Sequence, residues 1–393
     1  MNNNSKLTLI DLPVAPIRRS DGIDLLRGVL AIWVCLSHAQ GWVIYLGHPS
    51  QFLNATAGFL TTLFQSNGQT HPAVVGFIVL SGYCIHLGGF RRSRGKLRTY
   101  AVRRFFRIWP VYILACLVGA IAFLASEKVN ATAASALSGT DRISLACMAT
   151  KLSGVSAFIP TLHQCSFEGN APLTTVMVEI WLYVVYAIAV FLFFKRGYGN
   201  AFLCAVGGMF VLGSILVSNH PDLAGWWNNG SLPSFLAYWW IGALFVSERV
   251  STIARRFWLV LAIVWVVIAV SFLTKHLHAF GITQVQQIVL AVLFGILITA
   301  IIKAAEEGKV SSIGAVIGRA GYSLYAFHAP VLYLGLIAGL SWHFAVPLAL
   351  AAGFVLHHIF EHPIDRFGKR LASKNPPSAI HPTSASSASS GLR

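Results

Sequence analysis

Apolar stretches of 17 or more residues recur about ten times along this chain, near 22–43, 72–90, 105–125, 173–194, 200–217, 232–248, 257–274, 283–303, 320–340 and 344–360. A helix of that length reaches across about 30 Å of hydrocarbon, and a helix satisfies its own backbone N–H and C=O groups where lipid offers no partner. The expected fold is therefore all-α and polytopic, with about ten transmembrane helices. Hydrophobic residues make up 56% of the chain and charged ones only 11%, which excludes an ordinary soluble domain.

The net charge of +16 raises the question of a nucleic-acid partner, and the placement of the basic residues answers it. With the N-terminus inside, about four of the 29 Lys and Arg residues (Lys128, Arg142, Lys151 and Lys275) fall in outer loops, and roughly two dozen fall on the cytoplasmic side. The charge thus follows from topology; the expected partner is the lipid bilayer and no nucleic acid. An even number of spans returns the C-terminus to the cytoplasm, where Arg366, Lys369, Arg370 and Lys374 follow the last span. Residues 1–20 lack the apolar core and cleavage site of a secretory signal and are expected to be a disordered cytoplasmic segment. A membrane domain over 21–367 and a disordered Ser/Ala-rich cytoplasmic tail over 368–393 complete the organisation.

Ionisable residues inside such spans are costly, roughly 3 kcal/mol each on insertion scales, and so point to function. The first span carries Asp24, Arg27 and His38. Arg27 and His38 are eleven residues apart, which on a helix gives one shared face and a separation of roughly 16 Å. Asp24 precedes Arg27 by three positions and can pair with it.

Further polar positions follow in order. Ser81-Gly82 in the second span allows close helix packing. Arg103, Arg104 and Arg107 open the third span; Arg103 and Arg107 share a helix face and suit a phosphate clamp. Glu179 is the only acidic residue of the fourth span, with Tyr183 one turn further on the same face. The ninth span places Tyr325 and His328 at i,i+3, and the last ends in the polar cluster from His357 to Pro363, including Glu361. Spans five to eight read as scaffold, Trp226, Trp227, Trp239 and Trp240 as an interfacial belt, and His71 as interfacial. Cys147 and Cys165 share an outer loop, where a disulfide can form; the other four cysteines show no metal-ligand spacing, and no metal site is expected.

Taken in order, these segments resemble the acyltransferase-3 family of integral membrane O-acyltransferases, over about residues 22–367 and in its stand-alone form. Arg27 to His38 resembles the family's Arg-x10-His signature, and Phe77-Ile78-Val79-Leu80-Ser81-Gly82 its Phe-Phe-Val-Leu-Ser-Gly segment. Arg103-Arg104-Phe105-Phe106-Arg107-Ile108-Trp109-Pro110 is similar to its basic motif, and Glu179 with Tyr183 to its Glu-x-x-x-Tyr helix. Tyr322-Ser323-Leu324-Tyr325 with His328, and Glu361-His362-Pro363, resemble the two closing motifs. Thr174-Thr175-Val176 departs from the Trp-Ser-Leu that often precedes the Glu.

The resemblance implies transfer of an acyl group, acetyl foremost, from cytoplasmic acyl-CoA to a hydroxyl of a carbohydrate or lipid-linked glycan, at a bacterial inner membrane and without a permanently bound cofactor. His38 is then the expected base, Glu179 its orienter or an acceptor ligand, and His328 or Tyr325 an oxyanion donor. Arg103, Arg104 and Arg107 would hold the phosphates of coenzyme A, and Arg27, paired with Asp24, would position the donor. Ser81, Tyr183, Tyr322 and Glu361 are expected to support the site. An acyl-enzyme on Ser81 or His38 is the runner-up chemistry, and a transporter or flippase of glycan precursors the alternative from another class.

Overall fold

The computed structural model describes residues 21–48, 50–58, 70–92, 97–137, 145–162, 170, 172–273, 280–310 and 312–373, and among them contains helices and no strand. Each predicted apolar stretch is helical. The helices are α1 (Asp21–Tyr45), α2 (Pro72–Arg92), α3 (Leu97–Val129), α4 (Leu173–Ala189), α5 (Gly199–Val217), α6 (Leu232–Leu244), α7 (Trp258–Leu273), α8 (Phe280–Glu306), α9 (Gly321–Ile337) and α10 (Trp342–Leu356).

Among the described residues, length and hydropathy qualify six helical segments to cross a bilayer, and seven if Glu248–Arg256 and Trp258–Ser271, bent by 61°, form one span. Among these residues, then, length and apolarity coincide in six or seven segments, and the expected count of about ten is not confirmed. Helix α6 has 13 residues, about 20 Å against a hydrocarbon core of about 30 Å. Helix α9 has 17 residues, nearly all of them buried. Short helices wrapped by longer ones meet protein rather than lipid, so their length is not set by the bilayer.

Close backbone approach places the functional helices. A Cβ on Gly82 would overlap the carbonyl of Trp239, and one on Gly242 the carbonyl of Val79, so α2 and α6 cross in direct backbone contact. This is the role expected of small residues in membrane helices. A Cβ on Gly318 would likewise overlap the backbone of Asp24, which seats the short helix Ser312–Arg319 against α1. The central core contains Trp226, Trp227, Trp239 and Trp240, all buried. Contrary to the expected belt, these rings pack on one another and on Tyr186, Phe194 and Phe202.

At the C-terminal end a π-helical turn, His357–Glu361, leads into the amphipathic helix His362–Ser373. That helix continues past the expected boundary at 367 and packs through Gly368 and Phe367 against Phe106 of α3. Of the four cysteines expected in spans, Cys35 and Cys116 are buried. The possible Cys147–Cys165 disulfide lies outside the described side chains, as do residues 1–20 and 374–393.

Candidate active site

A cavity opens between α1, α2, α3, α4 and α9. Four arginines line it: Arg27 of α1, Arg104 and Arg107 of α3, and Arg319 of the short helix before α9. Ser81, Glu179, Tyr183, Tyr322, Tyr325 and Glu361 line it as well. The sequence reading is thereby corrected at one position and extended at another. Arg103 is not among the lining residues: of the two pairs available on this helix, α3 turns Arg104 and Arg107 (i,i+3) inward rather than Arg103 and Arg107 (i,i+4). Arg319 takes the fourth place, and in the sequence it is one basic residue among many on the cytoplasmic side.

Three of the four arginines have identifiable partners. Arg27 pairs with Asp24 at 3.1 Å, as the i,i+3 spacing predicts, and its other amino group donates to Cys84 Sγ at 3.5 Å. Asp24 is only 2% exposed, so the pair keeps a carboxylate and a guanidinium together at a depth where neither is stable alone. The Arg104 guanidinium lies over the rings of Tyr100 (5.8 Å) and Tyr183 (5.5 Å), a cation–π clamp, and among the described residues it makes no ion pair with a carboxylate. Arg107 faces the carboxylates of Glu361 and Asp365.

Glu179 is bound by hydroxyls rather than by a cation. Ser81 donates to its Oε1 at 2.6 Å, and the Tyr183 hydroxyl donates to the same oxygen. Tyr183 is fixed in turn by Tyr100, whose hydroxyl donates to the Tyr183 carbonyl at 3.1 Å. Ser81, Glu179, Tyr183 and Arg104 therefore form one connected group on three helices. Tyr322 donates to the carbonyl of Ile108 (3.1 Å), tying α9 to α3. Glu361 accepts from the backbone N–H (3.3 Å) and hydroxyl (2.6 Å) of Ser323 and pairs with His357 at 2.9 Å. The π-turn thus aims a carboxylate at the first turn of α9, where helix N–H groups lack intrahelical partners.

The outward end of the cavity is closed by Tyr325, bonded to Thr175 and to the carbonyl of Pro172 (3.1 Å), with the Phe77 ring 5.3 Å away edge-on. Thr175 stands where the family often has Ser, and keeps a hydroxyl there. One helical turn beyond Tyr325 is His328.

His328 Nδ1 lies 2.8 Å from the carbonyl of Tyr325 and 3.2 Å from that of Leu324, and its Nε2 lies 2.9 Å from His38 Nδ1. Carbonyls only accept, so in a neutral ring Nδ1 of His328 carries the proton and Nε2 is an acceptor. His38 Nδ1 must then donate, which leaves His38 Nε2 with an unprotonated lone pair, the state a general base needs. The tautomers follow from these five atoms. Two expectations change. His328 has both nitrogens committed and is not an oxyanion donor, and Glu179 makes no hydrogen bond to His38 and does not orient it. The side chain bonded to His38 Nδ1 is His328.

Local sequence explains why His328 sits so firmly. Pro330 lacks an N–H and so frees the carbonyl of Ala326 four residues earlier; Asn170 Nδ2 donates to that carbonyl at 2.8 Å and to Ala115 at 3.2 Å. His328 is 0% exposed. His38 is half-buried, stacked between His328 (5.1 Å) and Trp42 (5.8 Å).

His71, read from sequence as interfacial, belongs to this neighbourhood. Its Nδ1 accepts from the N–H of Ala73 (3.2 Å), capping α2, so its Nε2–H donates to Ser37 Oγ at 2.9 Å, the residue beside His38. Burial pulls its imidazole down to about 4, which keeps it neutral and in this tautomer. No spacing rule links residue 71 to residue 37; the two meet only when α1 and α2 pack.

The chain is a polytopic helical membrane protein with an arginine-lined cavity and a pair of bonded histidines one helical turn beyond it. The family comparison is specific: the model of the acyltransferase-3 family, an acyltransferase domain, matches residues 20–357. The chain belongs to that family, and is a membrane acyltransferase. No curated protein and no solved structure matches it.

Proposed function

We propose that the protein transfers an acyl group, acetyl in the simplest case, from acyl-coenzyme A to a hydroxyl of a carbohydrate, either an exported polysaccharide or a lipid-linked glycan, at a bacterial inner membrane. The observation that carries this reading is the His38–His328 pair, which leaves His38 Nε2 as a free lone pair on the same helix that supplies Arg27 to the cavity.

In this reading the phosphates of coenzyme A lie against Arg104 and Arg107, with Arg27 and Arg319 nearby, since guanidinium groups bind phosphate oxygens through two parallel N–H bonds. The extended arm of the donor runs toward Tyr325, and the roughly 16 Å between Arg27 and His38 matches its reach. His38 Nε2 takes the proton of the acceptor hydroxyl as its oxygen bonds to the thioester carbonyl carbon. The C–S bond then breaks, and the imidazolium returns the proton to the departing thiolate. His328 holds the ring throughout and stabilises the imidazolium through its Nε2. Glu179, with Ser81 and Tyr183, lines the donor cavity.

The test is mass spectrometry of surface and lipid-linked glycans from cells with the intact protein, with His38→Ala, or with neither. The expected result is an acyl increment, removable by mild alkali, found only with the intact protein. An increment that survives His38→Ala moves the base elsewhere. Absence of any increment, together with no binding of coenzyme A to the purified protein, overturns the reading in favour of transport.

A further inference from the structure

The arginine cavity ends short of the paired histidines. Val74, Phe77, Thr175 and Tyr325 line it at its outward end, and neither His38 nor His328 is among its lining residues. Tyr325 belongs to both neighbourhoods: it lines the cavity, where it meets the Phe77 ring edge-on at 5.3 Å, and its own ring lies 5.9 Å from that of His328. A thioester carbonyl held in this cavity has no open path to a hydroxyl at His38 Nε2. Bringing the two to bonding distance requires Tyr325 to move.

What holds Tyr325 in place is uncharged. Its hydroxyl bonds to Thr175 Oγ1 and donates to the carbonyl of Pro172 at 3.1 Å, and the Thr175 hydroxyl lies 2.9 Å from the same carbonyl. Each hydroxyl brings one proton, so two protons serve three oxygens, and neutral bonds of this kind are individually weak. The backbone around Tyr325 is fixed more firmly: Asn170 donates to the carbonyl of Ala326, and Tyr322 ties the same helix to α3. Rotation of the Tyr325 side chain breaks only the hydroxyl bonds. A shift of α9 would also break the His38–His328 pair.

Closure has a chemical reason. A base able to take a proton from a sugar hydroxyl takes one from water equally. With the path always open, a water oxygen would bond to the thioester carbonyl carbon, the C–S bond would break, and the proton held by His38 would pass to the departing thiolate, releasing a carboxylic acid and coenzyme A. Side chains that move aside only when the reactants are in place exclude this side reaction. We propose that Tyr325, latched by Thr175 and backed by Phe77, is a gate between the arginine cavity and the paired histidines that selects a carbohydrate hydroxyl over water as acceptor. The inference rests on the acyltransferase reading above. It differs from the oxyanion-donor role expected of Tyr325, whose hydroxyl is committed to Thr175 and Pro172 in the closed position.

Two changes release the latch from opposite sides. Thr175→Val keeps the shape of the side chain and removes one hydroxyl, Tyr325→Phe keeps the ring and removes the other, and Thr175→Ser keeps the bond. The full-length protein in phosphatidylcholine liposomes is given acetyl-CoA, or the acyl-CoA whose group the glycan increment identifies, with water as the only acceptor, and the released thiol is followed. Transfer is read in parallel from the glycan mass increment in cells. Thr175→Val and Tyr325→Phe are each expected to raise the ratio of hydrolysis to transfer at least tenfold over the intact protein, and Thr175→Ser to leave it unchanged. Adding His38→Ala to Thr175→Val should abolish the hydrolysis. Hydrolysis no faster in either variant than in the intact protein overturns the gate, while an increment made by the intact protein keeps the acyltransferase reading. A joint fall of hydrolysis and transfer in Tyr325→Phe, with Thr175→Val behaving as the intact protein, is the pattern of an oxyanion donor and likewise overturns only the gate. Fast hydrolysis that survives loss of His38 means that water reaches the thioester by another route, which also overturns it. No glycan increment, and no hydrolysis by the intact protein or any variant, overturns the acyltransferase reading itself.

Discussion

His38 and His328 lie 290 residues apart in sequence and 2.9 Å apart in space, Nδ1 to Nε2, with His328 Nδ1 held by two carbonyls of its own helix. The direction of that bond is fixed by the carbonyls, which cannot donate. It makes His328 an orienting partner whose role resembles that of a carboxylate in a triad, but without a negative charge.

The two histidines should therefore fail differently. His38→Ala removes the base, and the acyl increment on glycans should fall by about 100-fold or more, the usual worth of general-base catalysis. His328→Gln can still accept from His38 Nδ1 and should retain more activity than His328→Ala. Equal activity of His328→Ala and the intact protein, by the same mass measurement, would show that the pair has no part in the reaction.

The arginines should separate by whether they line the cavity. Arg104→Ala or Arg107→Ala should each weaken coenzyme A binding, measured by calorimetry in detergent, by roughly 10- to 100-fold, the scale of one charge-assisted hydrogen bond. Arg103→Ala should change it little. If Arg103→Ala is the most damaging of the three, the clamp lies on the face expected from i,i+4 spacing rather than in the cavity.

Backbone contact between helices should make some glycines irreplaceable. Gly82→Ala and Gly242→Ala introduce a Cβ where a carbonyl already stands, and each should destabilise the fold by about 1–3 kcal/mol, the usual cost of overpacking. Gly41→Ala, whose Cβ meets nothing, should not. Thermal unfolding in detergent reads the difference, and similar midpoints for all three variants would contradict the crossing of α2 and α6.

His71 has two separable bonds, to the Ala73 N–H and to Ser37. His71→Ala loses both and should unfold at lower temperature, by about 1 kcal/mol for the cap alone. His71→Asn offers a carbonyl oxygen for the cap but no donor at the Nε2 position. It should recover most of the stability and still resemble Ser37→Ala in activity. A His71→Asn variant as unstable as His71→Ala would assign the stability to the Ser37 bond instead.

The sequence by itself determined the helical membrane class, the positions of the apolar helices, the family, and the residue types of the site. Apolar runs, topology-biased charge and short ordered motifs are all local or periodic properties of a chain. Local spacing also predicted correctly that Asp24 pairs with Arg27 and that Tyr183 meets Glu179, since both pairs are within one helical turn. Only the tertiary structure decided the relations between helices. It made His328 rather than Glu179 the partner of His38, brought Arg319 in and left Arg103 out, drew His71 to Ser37, and buried the tryptophans expected at the interface. It also set helix lengths, since α6 is as hydrophobic as its neighbours and has only 13 residues. The physical reason is the same in each case. Spacing along one helix fixes which side chains share a face, but which face meets which neighbour depends on where glycines such as Gly82, Gly242 and Gly318 allow two backbones to touch, and contacts between distant helices have no periodic signature in the chain.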